Sequence, residues 1–181
     1  MQPAIFLDRD GVIIENRADY VKSIAEAHFI PGVLEALAET ARYAVRVVVV
    51  TNQSAVGRGL IALDAVHQVH AYLLEHIRAS AGRIDAVYFC PHRPDEHCAC
   101  RKPAPGMFLQ AARELDIDLS ASVMIGDNTT DVLAARAAGV RPILVHTGLG
   151  AEHLPAVSDS MAHFPDLPAA LAALWPTLPR A

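Results

Sequence analysis

Val45-Arg46-Val47-Val48-Val49-Val50 leaves this chain few folds to choose from. A nearly unbroken β-branched run favours a strand, because side chains stiff at χ1 crowd a helical turn. With no polar alternation, that strand offers no face to water and is expected to be buried on both sides, as in parallel sheets covered by helices. The rest of the chain supplies the partners. Ala4–Leu7 and residues 84–89, 122–125 and 142–145 read as further short strands. Pro31-Gly32 opens a helix with Val33, Leu34, Leu37 and Ala41 on one face. Another carries Leu63, Val66, His67, His70, Leu73, Leu74 and Ile77 at helical spacing, its two histidines read as packing at the edge of the core. Further helices are expected over 104–115, over 128–138 up to Gly139, and over Leu167–Leu174. Residues 13–30 look irregular, and 175–181 a peripheral tail. Alternating strands and helices, without repeats or low-complexity linkers, point to a doubly wound, mainly parallel α/β sheet in a single domain over residues 1–181.

The polar residues fall where such a sheet would gather them. Asp8 and Asp10 end the first strand, Thr51 and Asn52 the valine strand, Cys90 and its neighbours the third, and Asp127 the fourth. Open α/β sheets bind ligands in the crevice outside the carboxyl ends of their strands. In extended backbone, residues two apart point the same way, so Asp8 and Asp10 can face one centre. Two close carboxylates repel, and a hard divalent cation relieves them. One could then act as nucleophile and the other shuttle a proton. Thr51 offers a hydroxyl to phosphate oxygens, Lys102 a charge for a transferring phosphoryl group, and Arg101 a planar fork. Asp127 and Asp131 lie four apart across a helix start. Each feature alone is commonplace; their convergence at neighbouring strand ends is what carries weight.

All three cysteines, Cys90, Cys98 and Cys100, lie within eleven residues, an odd and clustered set that points to metal rather than disulfides. With His92 they form a C-x-H pair and a C-x-C pair separated by five residues that include Pro94. Four soft donors suit a closed tetrahedral Zn²⁺ site, structural rather than catalytic. His97 lacks the paired spacing, and a redox dithiol at Cys98 and Cys100 would leave Cys90 and His92 unexplained.

DxD, then Thr, then Lys, then GDxxxD occur in the order that resembles the haloacid dehalogenase superfamily, over residues 4–145. The resemblance implies a Rossmann-like fold in which Asp8 forms an aspartyl-phosphate and Asp10 protonates the leaving oxygen and later activates water. It also implies Mg²⁺ held by Asp8, the Asp10 backbone carbonyl and Asp127, with Asp131 in support. Thr51 and Lys102 would bind the phosphoryl group. The C-x-H…C-x-C loop before Arg101-Lys102-Pro103 resembles the D-glycero-D-manno-heptose-1,7-bisphosphate 7-phosphatases and the related histidinol-phosphate phosphatases. Thr51-Asn52-Gln53-Ser54, Gly57-Arg58-Gly59 and Pro105-Gly106-Met107 favour the heptose branch; Val12 departs from it, standing where threonine is usual.

Little room remains for a separate cap domain, so loops at 15–20, 54–59 and 90–101 would shape the site. Substrate contacts are expected from Tyr20, Asn52, Gln53, Ser54, Arg58 and Arg101. The expected substrate is a small phosphosugar, with histidinol phosphate as the alternative. A net charge of −5 argues against nucleic-acid and anionic-membrane partners. No apolar run approaches the ~20 residues of a membrane helix, and the first residues lack the basic start of a secretory signal. A monomer in the cytoplasm is expected.

Overall fold

The valine run forms β2 (Arg46–Asn52), and Val47, Val48, Val49 and Val50 are each at most 4% exposed. Alternate valines feed different cores: Val47 and Val49 pack on one face of the sheet, Val48 and Val50 on the other. Burying each is worth about 1.5–3 kcal/mol. The structure, a computed structural model, describes residues 1–157 and 161–181, with residues 154–157 described by backbone alone.

The other strands are β1 (Ala4–Leu7), β3 (Ala86–Cys90), β4 (Val123–Gly126), β5 (Arg141–Val145) and β6 (His163–Phe164). They form one sheet in the order β3-β2-β1-β4-β5-β6, every pair parallel. The helices are α1 (Val33–Glu39), α2 (Leu63–Ala79), α3 (Gly106–Leu115), α4 (Thr129–Ala138), α5 (Gly150–Val157) and α6 (Leu167–Leu174). Residues of α1, α2 and α6 cover one face, with Leu37, Leu73 and Leu171 in its core. Residues of α3 and α4 cover the other, where Phe108 meets Phe6 at 4.9 Å between ring centres. From β1 the chain winds outward through β2 to β3, then returns to β4 on the opposite side. The topological switch, and hence the crevice, lies at the carboxyl ends of β1 and β4.

Several expectations need correction. The third strand begins two residues later than read and ends one later, and α1 tightens into a 3-10 turn (Thr40–Arg42) that buries Thr40 and exposes Ala41. On α2, Leu63 and His67 face solvent, while Val69, absent from the expected stripe, is buried. Neither α5 nor β6 was expected; β6 has only two residues. The tail is tied down: Trp175 stacks on Tyr43 with centroids 4.8 Å apart, Arg180 lies over the same ring, and Ala44 donates to the Pro179 carbonyl.

Candidate active site

Lys102 is the electrostatic centre of the crevice. Only 1% exposed, its ammonium donates to the Val50 carbonyl at 2.8 Å and pairs with the carboxylates of Asp8 at 3.0 Å and Asp131 at 2.6 Å. Burial alone would lower its pKa, but Asp131 and Asp8 outweigh that and hold it at about 12. Lys102 is held in place from β2, where the Asn52 amide donates to its carbonyl at 3.0 Å and accepts from its N–H at 3.1 Å.

Asp8, Asp127 and Asp131 bring carboxylate oxygens within 4.8 Å of one another. Burial pushes Asp8 up to about 6, against the pull of Lys102 and with help from Asp131 and Asp10. Burial, followed by the charges of Asp8 and Asp131, pushes Asp127 up to about 8. Three carboxylates facing one ammonium leave a deficit of positive charge, and an all-oxygen donor set suits a hard divalent cation. The backbone leaves room for these acids. A Cβ on Gly11 or Gly148 would collide with Asp127 Oδ2, and one on Gly126 with Asp131. Gly11 and Gly148 also stand at positive φ, +81° and +61°. Asp127 Oδ2 accepts from the Leu149 N–H at 2.9 Å. Asn128 caps α4 by accepting from the Thr130 N–H at 3.0 Å, and Asp131 returns the favour to the Asn128 N–H at 3.1 Å. A cap of this kind is worth about 1 kcal/mol, and it fixes Asp131 against Lys102.

Asp10 stands beside this cluster, 22% exposed at the side chain, gripped by Arg9 and Gln53. The Gln53 amide donates to Asp10 at 2.8 Å and to Thr51 at 3.0 Å, while its oxygen accepts from Arg9 at 2.9 Å. Gln53 and Asn52, expected to reach substrate, therefore spend their amides on bracing Asp10 and Lys102. A cleft of about 440 Å³ opens above these groups. All residues expected to touch substrate line it, as do Asn16, Arg17 and Thr130, which were not singled out. Tyr20, at φ +66°, sits on a loop anchored by Arg17, Asp19, Lys22 and Glu26 in an ion-paired network. Among the described residues neither Arg58 nor Arg101 forms an ion pair within 4.0 Å, and both line the cleft.

Cys90, His92, Cys98 and Cys100 form the second ligand set. Five of the distances between their Sγ and Nδ1 atoms run from 3.3 to 3.5 Å. Tetrahedral bonds of 2.0–2.3 Å give edges of roughly 3.3–3.8 Å, so the donors fit one zinc ion. The cluster could hold zinc; His97, at φ +48° on the exposed turn, lies outside it. Gly57 donates to the Pro91 carbonyl at 2.9 Å, which leans the 54–59 loop on this one.

These features have counterparts in known proteins. A family model described as HAD-hydrolase-like matches residues 99–170. The D-glycero-beta-D-manno-heptose-1,7-bisphosphate 7-phosphatase of Bordetella bronchiseptica is 41% identical over 150 residues, covering 83% of this chain and 84% of that one. The enzyme of the same name from Pseudomonas aeruginosa is 39% identical over 171 residues, covering 94% and 96%. The crystal structure of the D,D-heptose 1,7-bisphosphate phosphatase from B. bronchiseptica, complexed with magnesium and phosphate, superposes with a TM-score of 0.92 at 37% identity, covering 97% of this chain and 99% of that one. On this identity and coverage, the chain belongs to the D-glycero-beta-D-manno-heptose-1,7-bisphosphate 7-phosphatase family of haloacid-dehalogenase-like hydrolases.

Proposed function

We propose that the protein hydrolyses the C7 phosphate of D-glycero-D-manno-heptose 1,7-bisphosphate through an aspartyl-phosphate on Asp8, in the synthesis of nucleotide-activated heptose. The observation that carries the chemistry is the junction of Lys102 with Asp8 and Asp131 at the floor of an open cleft, with Asp10 alongside. The relatives' names supply the substrate. Asp8 attacks phosphorus in line, forming the Asp8 O–P bond as the bond to the sugar oxygen breaks. Asp10 gives its proton to that departing oxygen. Water then attacks phosphorus, Asp10 takes the proton, and phosphate leaves with Asp8 restored. Lys102 and the Thr51 hydroxyl hold the non-bridging oxygens, where charge accumulates in the transition state. Asp8, Asp127 and the Asp10 carbonyl would hold Mg²⁺, with Asp131 behind them, and the ion would neutralise phosphoryl charge.

Arg58 and Arg101 suit the second phosphate of a bisphosphate. Zinc on Cys90, His92, Cys98 and Cys100 would hold the loop that delivers Arg101 and Lys102. No described helix is long and apolar enough to cross a membrane; three cysteines outside any disulfide suit the reducing cytoplasm, where the protein would act as a monomer.

The test is Mg²⁺-dependent phosphate release, compared as kcat/KM across the α- and β-anomers of the heptose bisphosphate, histidinol phosphate and a generic sugar phosphate. A preference of about a hundredfold for one heptose anomer, about 2.7 kcal/mol of transition-state binding, is expected. Histidinol phosphate winning by that margin would overturn the substrate and keep the mechanism.

A further inference from the structure

Arg9, between the two amino-terminal aspartates, heads the fully buried side chains by volume and is 1% exposed. A guanidinium carries five N–H donors, no acceptor and a permanent charge, so burial this deep requires partners. Asp10 receives two donors, Nε at 3.1 Å and Nη2 at 3.0 Å, and Gln53 accepts from Nη2 at 2.9 Å. The remaining arm, Nη1, meets Nε2 of His70 on α2 at 3.2 Å. Arginine can only donate, so Nε2 accepts and the ring is neutral with its proton on Nδ1. Burial, then the Arg9 charge, pushes His70 down to about 3, in keeping with that tautomer.

His70 interrupts an apolar stripe. Val66, Val69, Leu73 and Ile77 surround it on the buried face of α2, and Phe89 stands edge-on at 5.4 Å. A leucine would complete this stripe but leave Nη1 without an acceptor. His70 does not line the 440 Å³ cleft, so it reaches the chemistry only through Arg9.

We infer that His70 is a positioning residue for Asp10: it holds the far arm of the Arg9 fork, and the fork fixes the orientation of the Asp10 carboxyl. The inference rests on the role proposed above for Asp10 at the leaving oxygen. Without His70 the guanidinium loses its third anchor and can swing toward the helix. Gln53 would still hold Asp10, so the damage is partial. Acid–base catalysis tolerates such displacement poorly, since about 1 Å can cost a hundredfold.

The chemistry supplies a readout that general loosening of the fold would not move. A sugar alkoxide needs protonation as it leaves; p-nitrophenolate does not. The ratio kcat/KM reports steps up to that departure. His70→Leu is expected to lower kcat/KM for the heptose bisphosphate by about 10- to 100-fold, while kcat/KM for p-nitrophenyl phosphate stays within about threefold. His70→Met, similar in volume and lacking a strong acceptor, should behave alike and carries the test if the leucine variant does not fold. His70→Gln places an amide oxygen near the same point and should restore heptose turnover. Equal losses on both substrates, no loss on the heptose, or no rescue by glutamine would overturn the inference. Asp10→Asn separates it from the reading beneath. Should that variant lack the leaving-group split, the role of Asp10 falls and the inference with it. If Asp10→Asn shows the split and His70→Leu does not, the inference alone falls.

Discussion

The acidic cluster at the ends of β1 and β4 and the thiol–imidazole cluster after β3 are both ligand sets, yet they are built on different plans. Asp8, Asp127 and Asp131 are at most 9% exposed, repel one another, and share one lysine. The carboxyls of Asp8 and Asp127 are held at elevated pKa by burial and like charge, so the folded protein maintains an unfavourable arrangement there. Cys98, Cys100 and His92 are only partly buried, on a turn, with no internal conflict that an ion would not settle. The first arrangement stores the electrostatics that phosphoryl transfer uses; the second closes a loop. Arg101 alone stands between Cys100 and Lys102, and through that short link the stabilising cluster serves the reactive one.

The sharpest way to break the comparison is Asp8→Asn. The substitution keeps shape and removes the proposed nucleophile, together with one of three repelling charges. Turnover should fall about 10⁴-fold or more, while the thermal midpoint holds or rises. Wild-type-like phosphate release would remove Asp8 from its role.

Cys98→Ala should show the reverse weighting. Bound zinc measured by elemental analysis should fall with the thermal midpoint, and kcat/KM should drop about tenfold through loss of loop order. Full metal loading in this variant would sink the four-ligand assignment. Large loss of activity without loss of zinc would show that the two clusters are not divided in this way.

The contrast also separates what could be read from the sequence. Both clusters announce themselves locally: apolar runs end in Asp8 and Asp127, and four soft donors lie within eleven residues. The doubly wound, mainly parallel sheet follows from the alternation of elements, whereas the strand order comes from the structure. The braces are not local. Gln53 and Asn52 read as substrate contacts because they follow Thr51, and only β2–β1 register and the return of the 90–101 loop turn their amides toward Asp10 and Lys102. His70 read as packing because it falls on the helical stripe. Its partner lies 61 residues away in sequence, and nothing in the spacing shows which face of α2 meets Arg9. The available signal was a histidine among aliphatic residues, with an arginine wedged between two acids.

The smallest effect tests that brace by pH. An unfolded histidine binds a proton near pH 6.5, whereas folded His70 refuses it until about 3, because of burial, then Arg9, with Asp10 opposing and His67 adding a smaller push downward. Between those values the unfolded state holds the extra proton. His70 therefore costs no proton-linked stability above pH 6.5, and the protein loses stability as pH falls below it. The limiting slope is about 1.4 kcal/mol per pH unit, giving about 2 kcal/mol by pH 5, on the order of 5 °C for a chain of this size. The carboxylates and thiols also titrate, but they are common to wild type and His70→Gln, so the difference between the two isolates the imidazole. Thermal midpoints at pH 7 and pH 5 should fall further in wild type than in the glutamine variant. Parallel losses would mean that His70 takes up its proton in the folded state and that its bond to Arg9 is not the one described.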